Sequence, residues 1–320
     1  MSERGGIDLG GTKIQAVIVS SRNRVVGQAR SKTPTAGGPA AVTAEIASAV
    51  EAAAQDAGVA TSRLTGVGVG SPGEIDAAEG TVSQARNLPD WEGTFPLGAE
   101  LSKALGAPVA IGNDVQVATD AEFRLGAGKP YRSLLGVFWG TGVGGGLVLA
   151  GKPWFGRGSA GEIGHMVIKR GGARCTCGRY GCMEAYAGRG AMELRARRKV
   201  EGGKSTKLFE IMEKDGKTRL TSGVWAKALR KDDKLARKSI ERAIKALGAG
   251  IASAVNLLDV EAVVLGGGLG VRFGPACIDR IQEEMLPHLF VSDRPPDLHV
   301  AALGDLGGAV GAALLAKRSS

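Results

Sequence analysis

The chain has 320 residues, 43% of them apolar, which is enough to bury a core in two lobes or in one large α/β unit and excludes wholesale disorder. Aromatic residues make up only 4% while glycine fills 51 positions, so Ala, Val, Leu and Ile must build the core between many tight turns. The formal charge of +9 raises the question of a polyanionic partner, but most of the excess lies between Arg195 and Lys245, interleaved with Glu and Asp. No aromatics alternate with it, so it reads as a solvated helical face and no nucleic-acid partner is expected. No run of eighteen apolar residues occurs, and Met1-Ser2-Glu3-Arg4 lacks the apolar centre of a signal peptide. No membrane partner and a cytoplasmic location are the expectation.

In chain order, Gly6-Ile7-Asp8-Leu9 begins a strand that turns at Gly10-Gly11-Thr12 and returns from Ile14 to Val19, with the sheet continuing near Val25-Val26. A helical pattern runs from about Pro39 to Ala57 and stops before Gly58. Leu64 to Gly70 reads as a strand, with Ser71-Pro72-Gly73 as its turn, and Pro108 to Gly112 as a short buried strand before a helix near Asn113-Asp114. The opening pattern then recurs: strand Ser133 to Trp139, turn Gly140-Thr141-Gly142, strand Gly144 to Ala150. A long helix over Lys234–Leu258, a strand at Ala262–Leu265, a helix over Ala276–Pro287, a strand at Leu298–Ala302 and a small-residue helix near Leu306–Leu315 complete the chain. Two copies of strand, glycine turn and strand predict a duplicated α/β architecture whose copies face each other across a cleft.

The two turns suit phosphate. In Asp8-Leu9-Gly10-Gly11-Thr12-Lys13 the glycines let backbone N–H groups converge without Cβ obstruction, and Thr12 adds a donor. Asp8 at the strand end is placed to reach a hydrated Mg²⁺, which favours carboxylates and keeps several waters. Gly140-Thr141-Gly142 opens a second cradle, and Gly266-Gly267-Gly268 follows a strand where a flat ligand such as adenine can approach. One glycine-rich turn alone often only closes a hairpin; three, each after an apolar strand, point to a ligand. Gly68-x-Gly70-x-x-Gly73 and Gly140-x-Gly142-x-x-Gly145 match the dinucleotide fingerprint in letters, but neither opens a helix, so that reading is rejected. No P-loop motif is present.

Ile111-Gly112-Asn113-Asp114 places a carboxylate at a strand-to-helix junction, where either polar residue has a plain role as helix cap. Asn113 can cap while Asp114 faces a cleft as a base toward a hydroxyl. Downstream, Gly161-Glu162-Ile163-Gly164-His165 precedes Cys175-Thr176-Cys177-Gly178 and Gly181-Cys182-Met183-Glu184. His165, Cys175, Cys177 and Cys182 make a closed tetrahedral set for zinc with no position left for a reactive water, so the metal is read as structural. Reduced core cysteines are the plainer alternative, which the glycines and arginines of this stretch oppose. Cys277 stands apart.

With these residues the chain resembles the ROK family (repressors, open reading frames, kinases), within the actin-like superfamily of sugar kinases, and bacterial glucokinases in particular. The resemblance runs from Asp8-Leu9-Gly10-Gly11-Thr12-Lys13 to the final helix and is most specific in Glu162-x-Gly164-His165 followed by Cys175-x-Cys177-Gly178-x-x-Gly181-Cys182-x-Glu184. It implies a duplicated actin-like (ribonuclease H-like) fold of two lobes, residues 1–112 and 113–304, with a helix in 305–320 returning to the first. It implies ATP-dependent phosphorylation of a hexose, most simply glucose at its 6-hydroxyl, in a homodimer or homotetramer. Asp114 is then the general base, and Gly73, Asn87, Asn113, Glu162, His165 and Glu184 line the sugar. Gly10, Gly11, Thr12, Lys13, Gly140, Thr141 and Gly142 hold phosphates, Gly267 and Gly268 the adenosine, and His165 orients toward the sugar while ligating zinc. Val115-Gln116-Val117-Ala118-Thr119 departs from the Ala-rich run usual after Asn-Asp in these glucokinases. N-acetylmannosamine, N-acetylglucosamine, mannose or fructose as acceptor stay open, since the same residues grip most hexoses, and polyphosphate as donor stays open because of the basic stretch after Arg195. So does a silent sugar-sensing protein, which the phosphate turns oppose. A repressor is not expected, since at most six residues precede the first strand.

Overall fold

The computed structural model describes residues 3–85 and 87–316, so residues 1–2 and 317–320 of the expected segments lie outside the described residues. β1 (Arg4–Leu9), β2 (Lys13–Val19) and β3 (Val25–Lys32) form an antiparallel meander, and α1 (Gly38–Asp56) follows. β4 (Val67–Ser71) lies parallel to β1; β5 (Glu74–Asp76), β6 (Thr81–Ser83) and β7 (Thr94–Phe95) form a small sheet of their own. α2 (Leu97–Leu105) leads into β8 (Val109–Asn113), and α3 (Asp114–Leu125) starts at the next residue.

The second half repeats the plan. β9 (Leu134–Trp139), β10 (Val143–Leu149) and β11 (Lys152–Pro153) are an antiparallel meander. After a long loop come α4 (Glu184–Ala187), α5 (Arg189–Glu201), α6 (Leu208–Lys214), α7 (Ser222–Arg230) and α8 (Lys234–Leu258). β12 (Ala262–Gly266), α9 (Gly267–Met285), β13 (Asp297–Val300) and α10 (Gly307–Leu315) finish the described chain. The strand orders, β3-β2-β1-β4-β8 and β11-β10-β9-β12-β13, are the same once β1 is matched to β9, with the same parallel and antiparallel pairings. The duplicated α/β plan predicted from the glycine turns is therefore present.

Glycines set how the layers meet. A Cβ on Gly6 or Gly68 would run into the α10 backbone at Ala309 or Ala312, so α10 lies directly on β1 and β4. Gly136, Gly144 and Gly146 leave room for Thr119 and Val115 of α3 against β9 and β10, with the period of two a strand requires. Gly311 of α10 faces Val117 and Ala121 of α3, so the two helices pack together between the two sheets. Their junctions are tied by Glu122, nearly fully buried. Its carboxylate accepts from the backbone N–H groups of Ala127 (3.0 Å), Ala302 (3.0 Å) and Leu303 (2.9 Å).

The main elements follow local chemistry. The α8 bounds are those read from its apolar periodicity, with Ile240, Ala243, Ile244, Leu247, Ile251, Ala254 and Val255 on the buried stripe. Asp233 caps that helix by accepting from the Ala236 N–H at 2.7 Å. One element differs. The helix expected over Ala276–Pro287 begins at Gly267 and ends at Met285, and Pro287 falls in the short 3₁₀ turn Leu286–His288. Glycine and Pro275 give its first half a poor intrinsic preference, yet Leu269, Gly270, Phe273 and Gly274 are buried, and packing overrides propensity. The small β5–β7 sheet and α2 were not anticipated, their strands being two or three residues long.

Gly68→Ala places a methyl group against the Ala312 carbonyl and should destabilise the fold by about 1–3 kcal/mol, the usual cost of overpacking. Urea unfolding of the variant beside the parent measures this, and an unchanged midpoint would show that α10 does not sit tightly on the sheet.

Candidate active site

The carboxyl ends of the parallel strands converge. Asp8 of β1, Gly70 of β4 and Gly112 of β8 occupy one register row, with Ser71 beside Asn113 one step further on. In open α/β sheets this edge is where ligands bind. Asn113 caps α3, its Oδ1 accepting from the N–H groups of Val115 (3.1 Å) and Gln116 (3.2 Å). Asp114 also accepts from the Val115 N–H, at 2.9 Å, and it keeps a partial opening to solvent although protein surrounds it. Gly70 lies under its backbone, where a side chain would crowd it.

Asp114 is poised between its two protonation states. Loss of solvation, chiefly, with repulsion from Asp8 and Glu162, raises its pKa to about 7 against the two backbone hydrogen bonds that lower it. Burial also raises the pKa of Asp8, Asp305 adds to this, and Lys13 opposes it. Lys13 is paired with Asp305 at 3.4 Å, so its charge is shared before any ligand arrives. The first turn closes through the Gly10 N–H donating to the Lys13 carbonyl at 2.9 Å, and exposed Asn87 lies across Gly11. Gly73 has φ +102°, and its neighbours Ser83 and Ala85 leave no room for a side chain.

The second group of residues forms a linked series. His165 Nε2 stands 3.8 Å from exposed Glu162, while Nδ1 stands 3.8 Å from the Cys175 sulfur. The Cys177 and Cys182 sulfurs are also 3.8 Å apart, and all four donor atoms lie within 4.8 Å of one another. Thiolates about 2.3 Å from a shared tetrahedral ion sit about 3.8 Å apart, so the donor set fits zinc. Glu184 joins this loop to the second turn. Its Oε1 accepts from Thr176 Oγ1 at 2.9 Å and its Oε2 from the Val143 N–H at 3.0 Å, directly against Gly142. That turn closes through the Gly140 N–H donating to the Gly142 carbonyl at 3.0 Å, with Thr141 exposed at its tip.

Gly140 and Gly268 are neighbours, and beside Gly268 there is open space, so the α9 N-terminus and the second turn share one edge. Gly267 and Gly268 therefore belong to the first turn of a helix, a correction to their reading as a loop; the φ of +79° at Gly267 and its contact with Trp139 explain the glycine. Three partners escaped the sequence reading. Arg189 donates to Thr141 Oγ1 at 2.7 Å, Asp305 holds Lys13, and Gln116 Nε2 donates to the Ala160 carbonyl at 2.9 Å, fixing the loop before Glu162. Each joins residues far apart in the chain, and no local spacing announces it.

The model of the ROK family matches residues 4–319. The chain belongs to the ROK family. It is 32% identical over 319 residues to a glucokinase of Streptomyces coelicolor, covering 98% of this chain and 96% of the relative. It is 33% identical over 327 residues to an N-acetyl-D-glucosamine kinase of Erwinia tasmaniensis, covering 97% and 98%. Among solved structures, a ROK family glucokinase from Streptomyces griseus in complex with glucose and AMPPNP superposes with a TM-score of 0.83 at 31% identity, over 99% of this chain and all of that one. The ROK fold of two like α/β halves is thus the fold of this chain. Among the described residues no helix is long and apolar enough to cross a membrane.

Zinc content measured by atomic emission should be one equivalent per chain in the parent and far below that in Cys177→Ser. The variant should also lose several kcal/mol of stability, because a structural site holds its loop through the metal. Full stability of a metal-free Cys177→Ser chain would remove zinc from the account.

Proposed function

We propose that this chain transfers the terminal phosphoryl group of ATP to a hexose hydroxyl, with glucose as acceptor and the 6-hydroxyl as the attacking group. The observation that carries the reading is Asp114, a carboxylate with pKa raised to about 7 at the strand ends, beside Asp8 and Glu162. In this reading Asp114 takes the hydroxyl proton while the oxygen forms its bond to phosphorus and the bond to the ADP oxygen breaks. Glu162, His165, Asn87, Asn113, Glu184 and the backbone at Gly73 hold the sugar. The N–H groups of Gly11, Thr12, Thr141 and Gly142 meet the phosphates, while Gly10 and Gly140 close the two turns through their own N–H groups and let the phosphates approach, and Gly267 and Gly268 admit the adenosine. Mg²⁺, when bound with the nucleotide, supplies charge neutralisation, and Asp8 is placed to hold its water shell. Positioning does most of the work, since the transition state of phosphoryl transfer is loose. Zinc held by His165, Cys175, Cys177 and Cys182 would take no part in the reaction and would fix His165 and the loop that carries Glu184.

Residues 1–112 with the α10 segment and residues 113–304 act as the two lobes in this account, and the packing of α10 on β1 and β4 supports the division. The near-equal identity to a glucokinase and to an N-acetylglucosamine kinase keeps N-acyl hexosamines as the second acceptor class. Polyphosphate is the second donor, suggested by the basic stretch after Arg195. ADP release and phosphate transfer measured over a panel of hexoses, with ATP and with polyphosphate, distinguish these, and a chain inert with every pair is the silent sensor.

Asp114→Asn should lower turnover by about 10²–10⁴-fold, as loss of a general base does. In the parent, kcat/KM for the sugar should fall as pH drops below about 7, because the protonated carboxyl cannot accept a proton. The stability sign is opposite. A carboxyl whose folded pKa rises from 3.8 to about 7 favours folding at low pH and loses that contribution as pH rises through about 7, so Asp114→Asn should gain stability relative to the parent above neutrality. A pH-independent kcat/KM between 5.5 and 8, scanned at roughly constant ionic strength, would remove Asp114 from the role of base.

A further inference from the structure

The start of α5 carries a charge whose side-chain hydrogen bonds, among the described residues, all go to neutral oxygens. Arg189 is the first residue of that helix and is half-buried. Among the described residues its guanidinium makes two hydrogen bonds, both to neutral oxygens: Nη2 to Thr141 Oγ1 at 2.7 Å and Nη1 to the Leu220 carbonyl at 3.1 Å. A guanidinium has five N–H donors in a planar fork, so most of this one is still available. Glu193, the acidic group whose charge acts on it, is already engaged by Arg197 at 2.7 Å, by the Leu220 N–H at 3.0 Å and by Arg219 at 3.8 Å. Burial pushes the Arg189 pKa down and neighbouring Arg219 pushes it further, while Glu193 opposes them without reversing the shift. Desolvated charges without a partner are costly and are kept where a ligand completes them.

Its position names the ligand. The Arg189 N–H donates to the Gly140 carbonyl at 3.1 Å and the Gly190 N–H to the Thr141 carbonyl at 2.9 Å, binding the helix start to the second glycine turn. Behind it, buried Trp139 donates from Nε1 to the Ala187 carbonyl at 2.7 Å, which fixes the approach of the chain to that turn. The positive end of the α5 dipole adds to the field at the same place.

We propose that Arg189 binds the phosphate oxygens of the nucleotide donor at the Gly140–Gly142 turn and neutralises the charge that gathers there as the phosphoryl group leaves. The assignment rests on the reading of that turn as a donor-phosphate site. Arginine suits the task because its fork meets two oxygens of one phosphate at once, which a lysine ammonium does not. Lys13, on the other glycine turn, is paired with Asp305; among the described residues Arg189 makes no direct ion pair.

The test uses the full-length enzyme with Arg189→Ala and Arg189→Lys. In Arg189→Ala, kcat/KM for ATP should fall about 10²–10³-fold, the range for removing one donor to developing charge, while the sugar KM at saturating ATP moves less than about threefold. Arg189→Lys should lie between the two. ADP binding by calorimetry should weaken about tenfold or more in Arg189→Ala, and guanidinium ion added to the assay should restore part of the lost rate. A structural tie alone would lower the melting temperature and give no such rescue. ATP kinetics and ADP affinity in Arg189→Ala within about threefold of the parent overturn the proposal, as does a loss that guanidinium leaves untouched. If the parent itself turns over no ATP, the kinase reading fails, and the ADP comparison still decides whether Arg189 holds a nucleotide phosphate.

Discussion

The close pairing of α3 with α10 is the constraint on which the rest of the structure depends. Both helices lie between the sheets, and both approach them through positions that lack side chains: Gly6 and Gly68 on one side, Gly136, Gly144 and Gly146 on the other, Gly311 between. Residues with even a single methyl there would push the layers apart. Because α3 begins with Asp114, its seating on the second sheet also fixes the carboxylate at the end of the first. The distance between the two glycine turns is therefore set by backbone contact, which is stiffer than contact through long side chains.

The site that results is rich in negative charge. Asp8 and Glu162 both raise the pKa of Asp114, and Glu184 lies a short way off beside the cysteine sulfurs. Such a gathering is unfavourable in an empty protein and becomes favourable when cations or hydroxyl donors enter. A sugar offers several hydroxyls to acceptor-only carboxylates, and a nucleotide arrives with its divalent ion. At Gly140–Gly142 the same carboxylate, Glu184, stands against the turn and accepts from the Val143 N–H, while the Arg189 guanidinium lies on Thr141, so charges of both signs border that turn.

Much of this was legible in the chain because the signals are local. The repeated strand, glycine turn and strand showed the duplication, and the apolar stripe of Lys234–Leu258 gave that helix its bounds. The Cys175, Cys177, Cys182 and His165 spacing predicted a cluster whose donor atoms do gather within 4.8 Å. The cap expected of Asn113 is present through its Oδ1, and Asp114 shares in it by accepting from the Val115 N–H. What escaped depends on contacts between distant segments. The first half of α9 has the composition of a loop and is helical because Leu265 and Val300 pack against it. Arg189 looked like one more basic residue near a positively charged stretch until Thr141, 48 positions earlier, came to lie beside it. The small sheet of β5, β6 and β7 was too short to show a period.

The placement of α10 has a consequence for biosynthesis. A ribosome releases β1 and β4 first, with Gly6 and Gly68 facing nothing, and the helix that covers them is made only after the entire second half has emerged. The half that is translated earliest is thus the last to be finished. Until Leu315 has cleared the exit tunnel, an apolar sheet surface waits uncovered, and a chain cut between Val300 and Gly307 has its second sheet complete and its first left open to aggregation or to a chaperone.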